Sequence, residues 1–107
     1  MGTEAKPPRS FNFEAENLNK EWTEWLQNFT IFLTACKKKK ESDEIKIATI
    51  LNQLGHRGVE IFNTLRQDAI IQLQEEAEDE TERKKAEEKA LATYNDVVEA
   101  FTKYFAP

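Results

Sequence analysis

Tyr94-Asn95-Asp96-Val97-Val98-Glu99-Ala100-Phe101-Thr102-Lys103-Tyr104-Phe105-Ala106-Pro107 is the stretch whose reading decides the fold. Tyr94, Val97 or Val98, Phe101 and Phe105 recur at the three-to-four-residue interval that puts them on one face of an α-helix. Thr93 followed by Asp96 reads as a capping-box-like start, and Pro107 marks the end. Toward the amino terminus the same period returns in Trp22, Trp25 or Leu26, Phe29, Leu33 and Cys36. This predicts a first helix from about Leu18 to Lys37, capped by Asn17, with Glu21 and Glu24 near its positive end.

Between these helices punctuation is sparse. Glycine occurs only at 2, 55 and 58 and proline only at 7, 8 and 107, which leaves little room for hairpins. Ser42 is read as the cap of a second helix whose buried face is Ile45, Ala48 and Leu51, flanked by Ile47 and Leu54, with Gly55 as its left-handed stop. A third helix is expected from near Arg57, carrying Val59, Phe62, Ala69 or Ile70, Leu73 and Ala77; it is either unusually long or broken near Asp68. Residues 74–89 hold eight acids and four bases with almost nothing apolar larger than alanine, so a solvated or frayed helical excursion without a packing face is expected there. The predicted fold class is all-α, a compact bundle of four to five helices sharing one core. Residues 1–10 are read as a flexible arm and 11–107 as the folded lobe, with the charged excursion at about 67–92. Phe11-Asn12-Phe13 is too short for a sheet and is expected to lie along the helices and plug a groove between them.

Composition narrows the function classes. The chain has 107 residues, 39% hydrophobic and 33% charged, which suits one small domain with a heavily solvated exterior. No run approaches the roughly 20 apolar residues that span a bilayer, so no membrane partner is expected. The opening residues lack the apolar core of a secretory signal, and Lys6 stands where a myristoylation motif needs Ser or Thr. The expected compartment is the cytoplasm, with the nucleus as the alternative raised by the lysine run. A net charge of -5 argues against direct nucleic-acid binding by this lobe, since such affinity comes from cationic neutralisation.

No cofactor, metal ligand or catalytic residue is assigned. Cys36 is the only cysteine and His56 the only histidine, so a metal set cannot be assembled from them. His56 reads as a turn residue between Gly55 and Gly58, and no phosphate-cradling glycine loop exists. Two features remain as candidate binding sites. One is an aromatic groove formed by Phe11, Phe13, Trp22, Trp25, Phe29 and Phe62, whose bland reading is core and groove wall. The other is an electropositive patch of Lys37, Lys38, Lys39 and Lys40, whose bland reading is a helix end matched to the macrodipole.

Three landmarks in order carry a resemblance. The early Trp22-x-x-Trp25-Leu26, the middle Ile50-Leu51-Asn52-Gln53-Leu54-Gly55 with Ile61-Phe62, and the closing Tyr94, Val97, Phe101, Phe105 and Pro107 together resemble the amino-terminal capsid lobe of gypsy-type LTR retrotransposon Gag proteins. The resemblance spans roughly Phe11 to Pro107. It implies a structural lobe of a self-assembling shell that packages retroelement RNA, with no enzymatic activity and only weak self-association when isolated. The capsid lobe of neuronal Arc, a domesticated relative, has a peptide groove, which raises an adaptor for short peptides as the alternative. A third reading, a helical module unrelated to Gag, makes 66–92 a coiled coil. The chain departs from the family in its long charged excursion and in Gly58, where relatives carry alanine or another small helix former. The second departure keeps the smallness that close helix packing needs but is expected to weaken the helix by about 1 kcal/mol.

Overall fold

The computed structural model describes residues 6–107. Five helices and no strands occur among them: α1 (Leu18–Ala35), α2 (Asp43–Glu76), α3 (Glu80–Lys84), α4 (Ala86–Lys89) and α5 (Tyr94–Tyr104). The three caps read from sequence are made. Asn17 Oδ1 accepts from the Lys20 amide, Ser42 Oγ from Ile45 and Thr93 Oγ1 from Asp96. Asp43, in the first turn of α2, adds a second cap to α5 by accepting the Tyr94 amide at 2.8 Å, which ties the starts of two helices far apart in the chain.

Helix α1 stops two residues short of the expected Lys37. Lys37 lies in the left-handed region (φ +59°), and the Lys38 amide donates to the Leu33 carbonyl while the Lys37 amide donates to that of Thr34. That pairing is a Schellman cap with lysine in the place glycine favours.

The second and third helices of the sequence reading are joined with no loop between them. Gly55 does interrupt the helix, but at φ +80° and ψ -171°, a region essentially confined to glycine, and not in the left-handed helical well of a stop. The helix resumes at once and continues past Asp68 to Glu76 unbroken. Gly58 faces Leu54 across this kink. A Cβ built there would sit 2.4 Å from Leu54 Cβ, so alanine fits only if Leu54 or the backbone shifts. The small size kept at this position serves a close approach at the kink, and alanine's higher helix propensity is set against that clash.

One core collects side chains from the arm, α1, α2 and α5. Trp22, Trp25 and Phe29 of α1, Ile50 of α2, and Val97 and Phe101 of α5 are almost wholly enclosed, with Phe11, Leu33, Leu54 and Phe105 around them. A second, small cluster lies along the far half of α2. There Ala86 and Ala90 are buried against Ile70, flanked by Ala69 and Leu73, and Arg66 Nη2 donates to the Glu87 carbonyl at 2.6 Å. The excursion thus has a packing face after all, made of alanines four residues apart. It is no coiled coil, because after Glu76 the chain continues in helices of five and four residues.

Candidate functional site

The aromatic cluster is built on the inner face of α1. Trp22, Trp25 and Phe29 follow one another at helical spacing, and their rings stack, with centroids 6.0 Å apart for Trp22 and Trp25 and 5.4 Å for Trp25 and Phe29. Helix α5 supplies the opposite wall, where Phe101 stacks on Trp22 at 5.4 Å. Phe11 enters from the arm and meets Trp22, Trp25 and Phe105 at 6.1, 5.9 and 5.1 Å; the two tryptophan contacts are edge-on, an arrangement that aromatic quadrupoles favour. At 7% exposure Phe11 belongs to the core, so the slot is filled by the chain itself.

Both indole N–H groups find partners, which removes the cost of burying them. Trp22 Nε1 donates to Thr102 Oγ1 at 3.0 Å, and Trp25 Nε1 donates to the Arg9 carbonyl at 2.7 Å. The second bond begins a latch on the arm. Glu21 accepts from Arg9 Nη2 at 2.8 Å and from the Asn12 amide at 2.8 Å. The Arg9 hydrogen bond holds the Glu21 carboxyl below the usual carboxylate range, against the opposing effect of burial, and raises Arg9 in turn. Farther along, the Arg57 guanidinium lies 5.2 Å above the Phe13 ring and pairs with Glu14 at 2.7 Å. The flexible arm expected over residues 1–10 lies outside the described residues for 1–5, and from Arg9 onward the arm is bonded to α1.

Five of the six sequence-named aromatic residues converge: Phe11, Trp22, Trp25 and Phe29 in the core, with Phe13 half-buried against Phe11 at 4.6 Å. Phe62 packs on the core from α2 and does not join the ring cluster. Lys37, Lys38, Lys39 and Lys40 form an exposed corner between α1 and α2. Beside them Lys46 Nζ reaches the Lys39 carbonyl at 3.4 Å and lies 5.3 Å from the centre of the Tyr94 ring. Burial pushes the Tyr94 phenol up to about 12. His56 is exposed, with Nε2 2.6 Å from Glu60 Oε1 one turn along. No group of three His, Cys, Asp or Glu side chains placed to hold a metal occurs among the described residues.

Sequence reasoning missed a groove between the second half of α2 and α5, with a volume of about 440 Å³. Leu65, Ala69, Leu91 and Ala100 line its apolar part, and Asp68, Gln72, Asp96, Glu99, Lys103 and Tyr104 stand around it. Leu91 is held there by a turn in which it takes the left-handed position (φ +49°) and Ala92 donates to the Lys89 carbonyl at 3.4 Å. The usable signal was the i, i+3, i+4 spacing of Leu65, Ala69 and Asp68 on one helix and of Asp96, Glu99 and Ala100 on the other.

Comparison with protein families, with curated proteins and with solved structures yields no match. No helix among the described residues is long and apolar enough to cross a membrane.

Proposed function

We propose that this chain is a structural lobe of the Gag capsid type, similar to the amino-terminal lobe of gypsy-type retrotransposons, contributing to a self-assembling shell that packages the element's RNA. One observation carries the reading. The three separated landmarks behind the resemblance meet in a single core: Trp22 and Trp25, Ile50 and Leu54, and Phe101 and Phe105 enclose one another. A rigid helical lobe of this kind works by repetition, since surfaces too weak to hold a pair together become effective around a closed ring. The reading assigns the chain no reaction and no cofactor. Its partners are further copies of itself.

The test is to express the chain with the continuation of its natural reading frame and to inspect the product by electron microscopy and nuclease protection. Closed particles that shield RNA are expected, while the isolated 107-residue chain should sediment as a monomer or a weak associator. A tight, obligate oligomer of the isolated chain at micromolar concentration, or an extended product that never assembles, overturns the proposal.

A second reading, a domesticated adaptor for short peptides, draws on the filled aromatic slot. Any peptide entering it must displace Phe11 and break the Arg9 contacts to Glu21 and Trp25. Titrating Phe-x-Phe peptides into the native chain and into Phe11→Ala, while following Trp22 and Trp25 emission, separates the two readings. A saturable change that strengthens in the variant favours the adaptor, and none in either favours the shell.

A further inference from the structure

The groove between α2 and α5 borders the core, on which Leu65 and Leu91 also pack, and its chemistry is specific. Its apolar part consists of Leu65, Ala69, Leu91 and Ala100, and carboxylates from both helices stand at its edge. Neither Asp68 nor Asp96 is paired with a cation among the described residues, and Glu99 is held only by Lys103, 3.4 Å away and one turn along its own helix. Tyr104, which lines the groove, remains about half exposed. A concave surface with an apolar bottom and an anionic edge suits a side chain with an aliphatic stem and a cationic head. Lysine is such a side chain, laying its methylenes on apolar surface while its ammonium reaches a carboxylate.

The same chain presents the matching surface. Lys37 to Lys40 are exposed in the turn between α1 and α2, and Ile45, 44% exposed, follows in the first turn of α2. Glu41, Asp43 and Glu44 follow the run and offset part of its charge, but Asp43 is turned toward α5, where it accepts the Tyr94 amide. We infer that the lysine corner of one copy seats in the α2–α5 groove of the next, with the lysine stems and Ile45 over the apolar bottom and the ammonium groups on Asp68, Asp96 and Glu99. Because corner and groove are different patches, the contact is heterologous. Repeated, it builds a ring or an open chain, not a two-fold pair. The inference rests on the shell reading and names the surfaces that reading leaves open.

The test is zero-length carbodiimide cross-linking, which joins lysine amines only to carboxylates they touch, on an equimolar mixture of ¹⁴N- and ¹⁵N-labelled chain. Low salt is needed, since exposed charges are screened beyond about 10 Å at 0.1 M. Mixed-isotope peptides linking Lys38, Lys39 or Lys40 to Asp96, Glu99 or Asp68 are expected, fading as salt is added. A groove variant (Asp68→Asn, Asp96→Asn, Glu99→Gln) and a corner variant (Lys38→Gln, Lys39→Gln, Lys40→Gln), each checked for helicity by circular dichroism, should each lose these links alone. Mixed together they should recover them, as closed 1:1 pairs that go no further. If links between copies form elsewhere and both variants keep them, the inference falls and the shell reading stands. If a folded chain yields no links between copies up to millimolar concentration, the inference falls, and the shell reading stands or falls with the assembly of the extended chain.

Discussion

The main core and the cluster around Ile70 are built from opposite materials. The first is dominated by tryptophan and phenylalanine, with both indoles hydrogen-bonded and Phe11 drawn in from outside the helices. The second closes two alanines onto Ile70, and its one cross-link to the excursion from a long side chain is Arg66 on the Glu87 carbonyl. Burying a large side chain contributes about 1.5 to 3 kcal/mol, whereas each methyl-sized group contributes about 0.8 kcal/mol. The two regions therefore differ severalfold in what holds them. The main core sets whether the chain folds, and the α3–α4 segment adds a layer that opens locally while the rest stays closed.

Truncating Phe101 to alanine is the strongest challenge to this contrast. Phe101 is wholly enclosed and stacks on Trp22, so the loss should be about 4 kcal/mol and appear as a large fall in the denaturation midpoint. A loss below about 1 kcal/mol would mean that the core is not the seat of stability. Next comes Gly58→Ala. Alanine is normally the better helix former, yet the 2.4 Å approach to Leu54 Cβ predicts destabilisation by about 2 kcal/mol, read by thermal melting. A variant more stable than the parent would show that the kink relaxes freely.

Ala86→Glu sharpens the difference from the other side. The position is fully buried, so a carboxylate there must expel α4 from α2. Amide exchange should accelerate over 80–90, while Trp22 and Trp25 emission stays as in the parent and the global unfolding free energy falls by less than about 1 kcal/mol. Collapse of the whole fold would make the two regions one cooperative unit. The smallest effect is that of acid on the arm. Glu21 has a folded pKa below its unfolded value, so its stabilising contribution is complete above the ordinary glutamate pKa of about 4.3 and is lost as pH falls through the folded value. Tryptophan emission should shift modestly in that acid window as the Arg9 and Asn12 contacts weaken, and the shift should disappear in Glu21→Gln.

Local chemistry was the legible part. Asn17, Ser42 and Thr93 act within their own turns, so their roles follow from three or four residues of context. Phe11 could be placed because an aromatic pair outside any helix has few ways to leave water other than a groove. Gly55 was recognisable as an interruption, but the kink that carries the helix on past it brings Leu54 close to Gly58, a contact that propensity does not encode. The alanine face of α4 went unseen because its apolar content is slight and its partner Ile70 lies on another helix. The groove escaped for the same reason. Neither Leu65 nor Ala100 marks a site alone, and they face each other only once α5 has docked on α2.

Leu65 and Leu91 line that one groove, although 25 residues separate them in the chain. The intervening chain runs out along α2, turns back through α3 and α4, and returns to the same groove at Leu91. A detour whose ends already meet can grow at a penalty that rises only with the logarithm of its length. The bend at 78–79 is therefore where an epitope or fluorescent reporter can be spliced in while the aromatic core stays folded.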